Sequence, residues 1–229
     1  MSEITKNNIH KEFELERMIL FSDAVFAIAI TLLIIEIKFP ELPENFRVSL
    51  DLYMMFKPTL IHFLGFILSF FFIGMSWVKH LTMFRYLKSY DNGVIFRNLL
   101  SLMFIVSFPF SASGITHTQP SFMFPLIIYF GNIMMMAVSN FWLAHYIFIH
   151  KPKLSMPGHE VEKKYIYLQS KVFAVSISIT FFITLIIGIL TSFNNTFMTI
   201  GVYVGMFFMF FMRKRLKKYK PKKTVEIEE

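Results

Sequence analysis

The chain has 229 residues, of which 55% are hydrophobic types and 30 are Phe, and its mean hydropathy is +0.55. Soluble domains are ~45–50% apolar even with Gly counted, and surplus exposed apolar surface aggregates, so an ordinary cytosolic enzyme and a disordered chain are both excluded. Cysteine is absent, which removes disulfides, thiolate nucleophiles, zinc–cysteine sites and iron–sulfur clusters; the net charge of +8 raises nucleic acid as a partner until its distribution is read.

A membrane span needs ~20 predominantly apolar residues. Six stretches qualify, at roughly 18–38, 55–77, 93–115, 122–149, 166–190 and 196–212. They define an all-α membrane protein with a short N-terminus (1–16), a six-span region (17–212) and a basic tail (213–229). Glu3, Glu12, Glu14 and Glu16 precede the first span and no small-residue cleavage site follows it, so it is read as a retained span rather than a signal peptide. Pro109 and Pro125 are placed to kink the third and fourth spans.

Lysine and arginine are distributed very unevenly. Twenty fall on the N-terminus, the second-to-third and fourth-to-fifth connections and the tail; only Lys38, Arg47 and Lys57 fall on the other side. The positive-inside rule then puts both termini in the cytoplasm, which requires an even number of spans. The tail from Arg213 to Lys223 reads as an anchor on anionic lipid, and no nucleic-acid partner is expected. The acidic loop carrying Glu36, Glu41, Glu44 and Asp51 lies outside, where Glu36 would stand at an outer mouth; the alternative is an ordinary solvated loop.

No phosphate-cradling glycine loop, HExxH or GxSxG is present, and neither is the potassium-filter sequence TVGYG. No span carries regularly spaced Arg or Lys of the voltage-sensing kind. His10, His62, His80, His117, His145, His150 and His159 are scattered without a tight ligand spacing, so no metal site, cofactor or enzymatic activity is expected. Asn194-Asn195-Thr196 matches a glycosylation sequon but abuts a span. Gly201 and Gly205 in the last span form a small-xxx-small pair that permits close helix contact.

The first span carries the information. On a helical wheel Ala24, Ile28, Thr31, Leu32 and Ile35 fall within roughly 100° of arc, while Ser22 and Asp23 lie on the far side. One face is a ladder of aliphatic side chains; the opposite face begins with a hydroxyl and a carboxylate. A carboxylate at the edge of a span is costly unless paired or wetted. Asp23 could reach Arg17 only indirectly, and His62, Trp77, His80 and Asn98 are candidate partners on other spans. The alternative is that Arg17, Phe21, Ser22 and Asp23 merely mark the border of a span.

The run Arg17-x-x-x-Phe21-Ser22-Asp23 at the start of a first span resembles the signature of the transmembrane-protein-175-like family, potassium channels of lysosomes and endosomes with prokaryotic relatives. Trp77-x-x-His80, Asp91, Asn98-Leu-Leu and Phe108-Pro109-Phe110 extend the resemblance to residues 17–110. It implies a six-span repeat unrelated to the usual potassium channels. One repeat per chain implies a homotetramer in the plasma (inner) membrane of a prokaryote, with a pore lined by the first span of each chain. By the same resemblance Ile28 is the narrowest ring, Leu32 and Ile35 add rings toward the outside, and Thr31 matches a hydroxyl position tied to potassium preference. Arg17, Phe21, Ser22 and Asp23 would brace the first span against Trp77, His80 and Asn98. The chain departs from some relatives at Leu81, where they carry a second His.

An aliphatic constriction strips water from an ion without a carbonyl to replace it, and potassium gives up water more readily than sodium, so modest potassium preference follows. Three readings remain: a potassium-selective leak channel with a hydrophobic gate, permeated by K+ and partnered by its own copies and lipid; a proton or non-selective cation pathway through Asp23 and His residues; and a non-conducting scaffold.

Overall fold

In the computed structural model, which describes residues 3–35, 37, 51–117, 124–193 and 195–220, the chain is helical nearly throughout. Helix α1 runs Glu3–Ile35 and α2 runs Asp51–Phe84. They are followed by α3 (Asn92–Val106), α4 (Phe108–His117), α5 (Phe124–His145), α6 (Glu160–Leu190) and α7 (Asn195–Leu216). Among the described residues, five stretches are long and apolar enough to cross a membrane: 12–35, 62–84, 92–114, 124–150 and 160–190. Helix α7 occupies the place of the sixth span.

The third span is two helices. It breaks at Ser107, whose N–H reaches back to Met103 and Ile105, and restarts at Phe108 with Pro109 in the first turn of α4. A proline there has no helical N–H to lose and cannot continue α3 unbroken. Pro125 does not kink the fourth span: it is the second residue of α5, where its missing N–H has no intrahelical partner in any case. That span instead ends in a π-helical turn, Tyr146–His150. Helix α1 begins well before residue 17, so the N-terminal segment continues the first span rather than preceding it.

Helix α1 packs on α2, α3 and α4; α3 and α4 pack on α5; α5 packs on α6, and α6 on α7. The core between them holds Phe26, Ala29 and Leu33 of α1 against Ile73, Ile105, Phe108 and Met136. A second cluster at the lysine-rich end gathers Met83, Phe84, Val94, Leu143 and Ile147. That end is tied by backbone bonds between two loops: Lys88 and Ser89 donate to the Leu154 carbonyl at 2.8 and 3.1 Å, and Met156 donates to Tyr86 at 2.9 Å.

The α6–α7 contact is made by small residues. A Cβ built on Gly205 collides with the Thr180 side chain, and one on Gly201 comes within 3.2 Å of Thr184 and Ile187. Between helices in lipid, van der Waals contact of this kind replaces the hydrophobic drive. Gly205→Ala is expected to lower the thermal midpoint of the detergent-solubilised protein, and adding Thr180→Ala to recover most of the loss; a midpoint unmoved by Gly205→Ala contradicts the packing.

Candidate functional site

Helix α1 has two unlike faces. Ser22, Phe26, Ala29 and Leu33 repeat at helical spacing and are all buried within the chain. Ala24, Ile28, Thr31, Leu32 and Ile35 are exposed, Ile28 by 56% and Ile35 by 67%. The exposed stripe is the aliphatic ladder of the wheel. The Thr31 hydroxyl donates to the Ile28 carbonyl at 2.9 Å, which leaves its oxygen lone pairs to face outward.

The opposite side is held by a directional chain of hydrogen bonds. The Asn98 amide N–H donates to Ser22 Oγ at 2.9 Å, and Ser22 donates onward to the Met18 carbonyl at 2.9 Å. Asn98 Oδ1 therefore faces His80 Nε2, 2.9 Å away, which assigns the His80 proton to Nε2. His80 is 1% exposed and its ring stacks on Phe84 at 4.1 Å and tilts against Phe26 at 5.4 Å. Ser22, Asn98 and His80 come from α1, α3 and α2, so one amide joins three helices. A second pin sits beside it: the Trp77 indole N–H donates to the Asp23 carboxylate at 2.8 Å.

The proposed partners thus divide. Trp77 takes Asp23; Asn98 and His80 take Ser22. His62 is elsewhere, lining a hollow of about 190 Å3 with Ser69 and Tyr129. Arg17 and Phe21 are exposed, and neither makes a hydrogen bond to Ser22, Asp23, Trp77, His80 or Asn98. The Arg17 charge acts instead on Tyr90, whose hydroxyl donates to Glu14 at 2.8 Å; that bond to a carboxylate pushes the Tyr90 pKa up against the opposing pull of Arg17. Glu36 lies outside the described residues.

Two polar groupings escape sequence reading. At the break between α3 and α4, the Asn132 amide bridges the Ser107 and Ser111 hydroxyls at 3.1 Å each. At the lysine-rich end Asp91 caps α3 by accepting from the Val94 amide, and also accepts from Tyr146 at 2.9 Å and Lys151 at 2.7 Å. Burial raises the Asp91 pKa, but these three donors outweigh it and hold the carboxyl at about 2. The Arg97 guanidinium stacks over Tyr146 at 3.9 Å and Trp142 at 4.3 Å, and a Cβ on Gly93 would collide with the Tyr146 hydroxyl. The only signal for the first grouping is a lone Asn in an apolar run.

The family model described as the endosomal/lysosomal potassium channel TMEM175 matches residues 17–109. Over these residues the chain is similar to that family. A Chryseobacterium protein named a potassium channel is 29% identical over 192 residues, 82% of this chain and 87% of its own length. A potassium channel of Streptomyces collinus is 40% identical over 91 residues, but the match spans 41% of that protein. Bovine TMEM175, named an endosomal/lysosomal proton channel, is 30% identical over 115 residues, 47% of this chain and 23% of the relative. Among solved structures, a lysosomal potassium-selective channel TMEM175 homolog from Chamaesiphon minutus superposes with a TM-score of 0.59 at 22% identity, covering 89% of this chain and 98% of that one. The shared fold is that of a multi-span membrane protein.

The matched segment, residues 17–109, contains every member of the brace and stops at Pro109, just past the break between α3 and α4. Removing its central amide strands two buried groups at once. Asn98→Leu is expected to cost about 1–3 kcal/mol of stability in detergent, the price of an unsatisfied buried polar group. A loss no larger than that of an exposed control such as Leu99→Ala contradicts the bracing role.

Proposed function

We propose that the chain is one subunit of a homotetrameric, potassium-selective leak channel of a prokaryotic plasma membrane, with both termini in the cytoplasm. The observation that carries this reading is the two-faced α1. Its polar side binds the chain's own α2 and α3, and its aliphatic stripe is exposed among the described residues. Four copies of that stripe around an axis make a pore whose rings are Ile28, Leu32 and Ile35, narrowest at Ile28, with Glu36 at the outer mouth. The names of the bacterial relatives and the family of residues 17–109 support potassium as the ion.

The chemistry follows from the side chains. An ion passing Ile28 loses water and receives no ligand in return, so the ring sets a dehydration barrier that favours K+ over Na+ and closes by dewetting. The Thr31 oxygen, its proton already committed to the Ile28 carbonyl, presents acceptor lone pairs one turn away and offsets part of that loss. No cofactor takes part; K+ is the permeant species, and copies of the chain and lipid are its partners.

A proton pathway is the second reading, favoured by the name of the bovine relative. The geometry weighs against a relay through the brace, because the Asn98 amide between His80 and Ser22 is a poor proton carrier. Protons would have to pass through the pore itself.

The test is ion flux through the purified protein in liposomes. Wild type is expected to pass K+ well above Na+. Ile28→Asn should raise total flux several-fold and reduce the preference, with assembly unchanged. Equal fluxes before and after the substitution sink the Ile28 ring. Proton flux in the absence of K+, raised in Ile28→Asn with folding intact, replaces the potassium reading with the proton one.

A further inference from the structure

The brace and the stripe leave one built feature unused, at the lysine-rich end of α6. Here the π-helical end of the fourth span, the Pro152–Leu154 turn and the first turns of α6 enclose a hollow of about 760 Å3. Its walls are held by the backbone bonds between the 86–89 and 154–156 segments, so it is preformed. Lys88, Lys153, Lys163 and Lys164 line it, against the single carboxylate of Glu160.

Lys163 is the unusual member. It is 6% exposed, an uncommon depth for a lysine, and its Nζ donates to Glu160 Oε1 at 2.9 Å. The Glu160 side chain is 80% exposed, so water claims much of the carboxylate that must compensate a desolvated ammonium. The ammonium keeps two further donors with which to meet an anion. The other lysines are exposed and ring the mouth.

The rest of the lining is apolar. Ile149 and Met156 are exposed by 52% and 42% beside Phe148 and Leu168. The hollow also sits where two apolar stretches end, at His150 and at Glu160, the depth of lipid headgroups. A neighbouring hollow of about 490 Å3 shares Glu160 and Lys164 and adds Lys218 and Lys220 from the chain's basic run. A site that is cationic at its mouth, apolar along one wall and placed at the membrane boundary complements an amphiphile with a phosphate head.

We propose that this hollow binds the headgroup of an anionic phospholipid, with the phosphate among Lys153, Lys163 and Lys164 and the first methylenes over Ile149 and Met156. The proposal rests on the chain crossing the membrane with this end at the headgroup layer, not on ion conduction.

The test is native mass spectrometry of the full-length protein in mild detergent, with phosphatidylglycerol and phosphatidylcholine offered in equal amounts. Wild type is expected to retain phosphatidylglycerol several-fold over phosphatidylcholine. Lys88→Gln/Lys153→Gln/Lys164→Gln should bring that ratio close to one; if the triple variant fails to fold, Lys153→Gln and Lys164→Gln singly should each lower it. A control outside both the hollow and the basic tail, Arg85→Gln/Lys171→Gln, should keep the preference where the charge-matched Lys153→Gln/Lys164→Gln loses it. Equal retention of both lipids by wild type, or equal losses in the hollow and control double variants, overturns the site. So does inorganic phosphate raising the thermal midpoint as much as phosphatidylglycerol does, because the ligand is then a soluble anion.

Discussion

The Asn98 side chain sits where α1, α2 and α3 meet and satisfies one polar group on each of the other two helices. In a lipid environment this decides more than packing can. Lipid tails are as apolar as Leu, so nothing in the hydrophobic effect tells α1 to bury Leu33 and leave Ile28 outside. Polar groups do tell it. Turning α1 by one residue would swing Ser22 away from Asn98, leaving buried groups unpaired, and would also part Asp23 from the partly exposed Trp77. The outward stripe of Ala24, Ile28, Thr31, Leu32 and Ile35 is therefore set by what happens on the opposite face.

The rest of the bundle serves that constraint at a distance. Break and restart at Ser107 let the third span follow α1 on one side and α5 on the other, and the Asn132 bridge takes up the hydroxyls exposed by the break. The glycines of α7 bring it against α6 without a large side chain between them. At the basic end, Asp91 gathers the start of α3, the π-helical turn after α5 and Lys151 into one ion-paired cap, so α3 is fixed in height as well as in rotation. Fixing α3 fixes Asn98, and through it α1.

The helical membrane architecture was legible because 55% apolar composition and runs of twenty apolar residues have few other solutions. The stripe was legible because helical periodicity sorts Ile28, Leu32 and Ile35 onto one side whatever surrounds them. The brace was legible only as a set of types: Trp77, His80 and Asn98 are polar residues in apolar runs and had to find partners, but which took Ser22 and which took Asp23 depends on helix rotations that no spacing encodes. Arg17 was drawn into the brace by its place in the signature, yet it stands a turn and a half from Asp23 and is exposed. Pro125 misled for a local reason, since a proline kinks a helix only once there is a turn before it. The Asp91 cap and the Asn132 bridge join residues 60 and 25 positions apart, contacts that a single sequence does not announce.

The central claim is that the stripe of α1 faces the ion path. The absence of cysteine gives a clean background for testing it by introducing single cysteines along residues 20–35 and exposing the reconstituted protein to a water-soluble, charged thiol reagent. If the stripe lines the pore, modification at Ala24, Ile28, Thr31, Leu32 and Ile35 changes K+ flux and is slowed by high K+, while Phe26, Ala29 and Leu33 positions do not react. Reactivity without effect on flux along the stripe, or flux effects confined to another face, would place the ion path elsewhere.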